Sequence, residues 1–115
     1  MSGRAPQRFL PLASLSYYVL LALGEGAAHG WAVIKRIREF TEGSANPSSG
    51  SLYLAMVRLE DDGLIAESPT PAGDDERRRY YRLTTLGRAV ARAESQRLDR
   101  LVRRARALDL LAESP

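Results

Sequence analysis

The chain has no cysteine, one histidine (His29) and one lysine (Lys35) among its 115 residues. Without cysteine there is no disulfide framework, thiolate metal site or cysteine nucleophile. A single imidazole with no second histidine leaves a zinc site short of ligands and a Ser–His–Asp triad without support, and no Gly-x-Ser-x-Gly elbow occurs. His29, just ahead of Gly30, reads as a helix cap or a core residue. The glycines of "GEGAAHG" follow a helix rather than a strand, the wrong context for a phosphate loop. Apolar runs are short as well. "VLLALGEGAA" is cut by Gly24 and Glu25, well under the roughly 18 residues of a membrane span. Arg4 and Arg8 are not followed by a signal-peptide apolar region, so a cytoplasmic location is expected. No enzymatic activity, cofactor or metal is expected from these residues.

What is present is segregated charge. The net charge is only +3, yet eleven of the arginines lie between Arg77 and Arg106. The acids gather at Glu60, Asp61 and Asp62 and at Asp74, Asp75 and Glu76. Such separation suits a polyanionic partner, because Lys and Arg displace counterions from phosphates; a solvated helix face would give the same pattern. With 44% hydrophobic residues the chain can bury one small core, and chains of this size often gain stability by oligomerising.

The apolar periodicity changes along the chain. Residues 1–13 mix Pro, Gly and Arg and read as an irregular segment. Ser14 is a candidate N-cap for a first helix, "LSYYVLLALGEG", apolar nearly all round and therefore buried on several sides. A second helix in "AHGWAVIKRIREFTEG" carries Val33, Ile34, Ile37 and Phe40 on one side and Lys35, Arg36 and Arg38 on the other. Trp31 and the pair Tyr17 and Tyr18 read first as core, with ligand stacking for Trp31 and dimer contacts for the tyrosines as alternatives. After the turn "GSANPSSG", Ser48 or Ser49 can cap a third helix that ends at Gly63 and buries Leu52, Ala55, Met56 and Leu59. "LIAES" and "RRYYRLT", separated by turn residues, read as a β-hairpin with Tyr81 inward and Tyr80 and Arg82 outward. Thr84 caps a long last helix running to Leu111. There Leu98, Leu101, Ala105 and Leu108 make a 3-4-3 seam, the spacing of a coiled-coil dimer contact.

Three helices, a hairpin and a long helix make a mainly α fold with a small β-hairpin: a winged helix-turn-helix at 14–84 and a dimerisation helix at 85–115. In that architecture the helix before the wing enters the major groove and the wing contacts the backbone or minor groove. The arginines Arg77, Arg78 and Arg79 then suit phosphate contacts, with a charged, aggregation-resistant edge strand as the plainer alternative. The acids Asp74 to Glu76 would repel DNA there or pair with those arginines.

"LSYYVLLALGEGAAHGWAVIKRI", "GSLYLAMVRLEDDGLI" and "DDERRRYYRLTTLGRAVARAE" together resemble the short-chain branch of the PadR family of bacterial transcriptional regulators. The resemblance covers about Leu12 to Leu111. It implies a homodimer, joined through the last helix with help from the first, that represses at a pseudo-palindromic double-stranded operator. It also implies release by a small hydrophobic or phenolic effector. If the third helix enters the major groove, Ser48, Ser49, Ser51, Tyr53 and Arg58 face base edges and phosphates; by the same resemblance Ser49, Gly50, Ser51 and Tyr53 match its DNA-facing start, Lys35 and Arg36 the basic positions of the second helix, and Arg77 to Arg79 the wing. Family members often carry proline where Ser49 stands, basic residues near Leu54 and Val57, and tyrosine in place of Trp31. The tryptophan that some drug-binding relatives place on the last helix is missing. The poorly basic third helix leaves a second expectation, a winged-helix interaction module that pairs with proteins and no longer binds DNA.

Overall fold

A computed structural model describes residues 5–112 and arranges them as four α-helices and three short strands. Helix α1 (Ser14–Gly24) is the centre of the packing, as its all-round apolar surface requires. Val19, Leu20, Ala22 and Leu23 are buried, and α1 touches every other α-helix and the sheet. Its N-cap is Ala13, which makes no side-chain cap, so Ser14 is the first helical residue rather than the cap. Burial holds this helix in place of capping. The other three helices are capped by side chains. His29 Nδ1 accepts from the Ala32 amide at 3.3 Å to start α2 (Gly30–Phe40). Ser48 Oγ accepts from the Ser51 amide at 3.1 Å to start α3 (Ser49–Asp61). Thr84 Oγ1 accepts from the Gly87 amide at 2.9 Å to start α4 (Thr85–Ala107). Ser/Thr caps of this kind contribute about 1 kcal/mol each.

The sheet has three antiparallel strands, ordered β1 (Ala28–His29), β3 (Tyr80–Leu83), β2 (Ile65–Ser68). Strands β2 and β3 are the expected hairpin, with Ile65 opposite Leu83 and Ser68 opposite Tyr80. Strand β1 is an addition, since two residues leave no alternation to detect. It sets His29 opposite Tyr80, with the rings edge to face at 5.2 Å. Tyr80 is therefore half-buried on the face expected to be open, while Tyr81 and Leu83 pack on the core and Arg82 is exposed.

Helix α4 is seated on the α3–β2 junction through Gly87. A Cβ at that position would lie 1.9 Å from the Leu64 carbonyl oxygen and 2.8 Å from its carbon. The same carbonyl accepts from the Thr84 amide at 3.1 Å, and Thr84 Oγ1 donates to the Gly63 carbonyl at 2.6 Å. One turn beyond Val90 lies Glu94, 2% exposed. It accepts the Leu12 amide at 3.1 Å and a forked pair from Arg97 at 2.6 and 3.0 Å. Arg97, and the Leu12 amide after it, hold this carboxyl below its ordinary value against the opposing effect of burial. The N-terminal stretch, expected to be irregular, contains a 3-10 turn at Pro6–Phe9 that packs along α4. The outermost parts of both expected terminal segments, residues 1–4 and 113–115, lie outside the described residues.

Helix α4 ends at Ala107, earlier than the expected Leu111. Asp109 turns left-handed (φ +59°) and the Leu110 amide returns to the Ala105 carbonyl at 2.8 Å, closing the helix without a glycine. Leu108 is thus the C-cap and not a seam residue within the helix. Leu98 and Ala105 are half-buried, whereas Leu101 (55%), Val102 and Leu108 are exposed, so the lower half of α4 has an apolar side left uncovered by the described residues. No described helix is long and apolar enough to cross a membrane.

Candidate nucleic-acid interface

Helix α3 is built with two unlike sides. Leu52, Met56 and Leu59 are buried against α1 and α2. The opposite side carries Gly50, Leu54 and Val57 at i, i+4 and i+7, flanked by Tyr53 and Arg58, all exposed. Tyr53 is 66% and Leu54 70% exposed, large values for side chains of this size. Ser49, Gly50 and Ser51 leave the first turn narrow. A Cβ on Gly50 would meet nothing within 4 Å. Packing therefore does not explain a glycine there, although glycine costs up to about 1 kcal/mol of helix propensity.

The wing loop, residues 69–79, stands beside this helix and carries the three arginines. Arg77 pairs with Asp75 at 3.2 Å, Arg78 with Asp74 at 3.6 Å, and Arg79 with Glu67 across the strands at 3.7 Å. All three remain exposed. Exposed pairs of this kind contribute about 0–1 kcal/mol, so the acids orient the arginines without locking them away from another anion. The Tyr80 hydroxyl donates to Asp74. That bond and the Asp75 amide hold the Asp74 carboxyl below its usual range, and Arg77 does the same for Asp75. Both acids are thus kept charged as partners of the wing. Arg78 also lies 3.2 Å from His29 Nε2. A neutral imidazole has one acceptor nitrogen, so it serves either the Ala32 amide or Arg78 at any moment.

Between α2, α3 and the wing runs a groove of about 580 Å³, floored by Ile34, Met56 and Tyr81 and walled by Trp31, Tyr53 and the wing arginines. Trp31, read from sequence first as core, is 65% exposed. The buried side of α2 is Val33, Ile34 and Ile37, and at about 100° per residue Trp31 falls well off that axis; a helical wheel would have found it. Lys35, also exposed, lines a second cleft beside Trp31 with Arg38 and Glu39.

Arg36 is elsewhere. Its Nη1 donates to the Ala22 and Gly26 carbonyls at 2.9 and 2.8 Å, and its Nε lies 3.8 Å from Glu25. It satisfies the C-terminal end of α1, where a cation is favoured. The guanidinium grouped from sequence with Lys35 on a DNA-facing surface is thus engaged inside the protein. Ser48, Ser49, Gly50, Ser51, Tyr53, Arg58 and the three wing arginines lie on α3, its N-cap and the adjoining wing; Lys35 lies at the margin. Among the described residues no group of His, Asp and Glu could hold a metal ion.

This arrangement has close relatives. The Transcriptional regulator PadR-like family matches residues 19–93, from α1 to the first half of α4. The chain is 32% identical over 92 residues to the transcriptional regulator Rv3488 of Mycobacterium tuberculosis, covering 79% of this chain and 81% of that one. It is 35% identical over 83 residues to a 37.1 kDa protein in transposon TN4556 of Streptomyces fradiae, covering 72% of this chain but spanning only 22% of that protein's length. In fold it is similar to a PadR family transcription regulator from Clostridium difficile (TM-score 0.70, 23% identity, 84% of this chain and 98% of that one). It is similar also to BpsR of Bordetella bronchiseptica, whose DNA binding is regulated by 6-hydroxynicotinic acid (TM-score 0.67, 24% identity, 86% of this chain and 66% of that one). The extent of the family match and the shared helix–wing architecture place this chain in the PadR-like family of transcriptional regulators.

Proposed function

We propose that the protein is a homodimeric, cytoplasmic DNA-binding regulator and not an enzyme. It represses transcription at a pseudo-palindromic operator and is released by a small hydrophobic or phenolic effector. The observation that carries the DNA reading is the open side of α3, with its bare Gly50 and exposed Tyr53 and Arg58, set beside three exposed wing arginines. In this reading the first turn of α3 enters the major groove and the wing grips phosphates. The dimer reading rests on the apolar side of α4, where Leu101, Val102 and Leu108 are left exposed among the described residues. Two copies joined there would present their α3 helices to half-sites about one helical turn apart. An effector in the groove beside Trp31 would cover Tyr53 and so compete with DNA.

Binding to duplex DNA from the upstream region of its own gene, measured across a salt series, tests this. The log–log slope should fall by about one for each phosphate-contacting arginine among Arg77, Arg78 and Arg79 replaced by alanine. Salt-independent binding, or none, refutes it. The second reading, a protein-interaction module, is favoured by the aliphatic outward side of α3. Tyr53→Ala with Arg58→Ala separates the two: lost DNA affinity in an intact dimer supports the regulator, and unchanged affinity supports the module.

A further inference from the structure

From Gly50 to Val57 the outermost line of α3 contains no hydrogen-bonding side chain; only Asp61, in its last turn, carries one. Gly50, Leu54 and Val57 point away from the core, and Leu54 and Val57 are the residues a docked duplex would meet squarely. The only base-edge feature an aliphatic side chain can distinguish is the C5 methyl of thymine; every other major-groove signal is a donor or an acceptor. Charge fixes which end of the helix goes in. The serine-rich first turn carries the positive end of the helix dipole, and Glu60, Asp61 and Asp62 sit at the far end, where phosphates are repelled. Arginines of the wing flank the same side, which suits a polyanion better than an apolar protein surface.

We propose that Leu54 and Val57 read thymine methyl groups, so that each operator half-site is fixed at two A·T pairs by apolar contact; this rests on the DNA-binding reading above. The two residues are about 4.5 Å apart along the helix axis, and base pairs are stacked about 3.4 Å apart. The two thymines therefore lie on adjacent or next-adjacent pairs. Gly50, one turn earlier, lets the helix come close enough for short side chains to reach. Tyr53 and Arg58, on the flanks, are left for polar edges and phosphates.

The test is a selection of bound duplexes by the full-length protein from two random-sequence pools, one synthesised with thymine and one with uracil throughout. The thymine pool should yield a two-fold motif with A·T pairs at two neighbouring positions in each half, and the uracil pool should lose the preference at those positions. On the selected duplex, uracil in place of thymine at either position should weaken binding roughly fourfold, the value of one buried methyl. The doubly substituted protein, Leu54→Ala with Val57→Ala, should bind thymine and uracil duplexes equally. Both residues are exposed, and an unchanged melting temperature confirms that the variant is folded. If the protein selects a motif but uracil costs nothing, the methyl assignment falls and the DNA reading stands. A uracil penalty that persists in the double variant also overturns the assignment, since it then comes from the stiffness of the DNA itself. If no duplex is selected from either pool, both the assignment and the DNA reading fall.

Discussion

Replacing Gly87 with alanine sets two physical effects against each other, and the structure decides the sign. Helix propensity alone favours alanine by up to about 1 kcal/mol. The Cβ, however, would sit 1.9 Å from the Leu64 oxygen and 3.2 Å from its Cα, backbone atoms that cannot rotate away. Leu64 is itself buried and held by its amide on the Leu59 carbonyl at 2.9 Å. Relief therefore requires α4 to move off the α3–β2 junction by more than an ångström. Overpacking of this kind costs about 3 kcal/mol at the upper end of its usual range. The Thr84–Leu64 hydrogen bond, worth about 1 kcal/mol, goes with it. The balance is a loss of about 3 kcal/mol, which at roughly 4 °C per kcal/mol for a chain of this size lowers the melting temperature by about 12 °C. Thermal unfolding followed by circular dichroism, at matched protein concentration because any dimer couples to stability, measures it. A variant that melts at or above the parent temperature would mean that propensity wins and that α4 is not seated on Leu64 in this way.

Two further predictions concern α4. The folded Glu94 carboxyl lies below its ordinary value of about 4.5, so its contribution is present above that pH and is lost as the pH falls through the folded value. Glu94→Gln should cost about 2 kcal/mol at pH 7 in urea unfolding, the range for hydrogen bonds to a charged group; the gap should close as the pH falls below about 4.5, and a constant gap refutes the assignment. Leu101→Asp places a carboxylate in the apolar side of α4 in both copies of a dimer. Losing the burial of two leucines at about 1.5–3 kcal/mol each should weaken association by about a hundredfold or more and give monomers in sedimentation equilibrium, whereas an unchanged dimer removes α4 from the interface.

Much of the fold is legible in the sequence because burial writes a period into it. The third helix shows its buried Leu52, Met56 and Leu59 at helical spacing, and Ser48 and Thr84 mark helix starts by chemistry that only caps need. Two kinds of feature escape. Strand β1 is two residues long, and its pairing partner Tyr80 is 51 positions away, so no local pattern announces it. The end of α4 at Ala107 escapes because Asp109, rather than glycine, takes the left-handed turn. Ser14 misleads for the opposite reason: it has cap chemistry at a helix start that burial makes secure without a cap.

The candidate interface is less legible than the fold, because it depends on where charged side chains point and not on which residues are charged. Lys35 and Arg36 are adjacent and alike in sequence. One is exposed, and the other reaches carbonyls 10 and 14 residues away at the end of α1. The wing arginines show the converse. Their acidic neighbours read as either repulsive or paired, and the structure pairs each arginine with an acid while leaving it open to solvent. A phosphate approaching the wing therefore meets guanidiniums already held in place, and exchanging one weak exposed pair for a phosphate costs little. In the proposed DNA-binding reading, with no cation along the Gly50–Leu54–Val57 line, most of the attraction to DNA would come from that wing with Arg58 beside it, and Leu54 and Val57 would discriminate among bases by shape and by apolar contact.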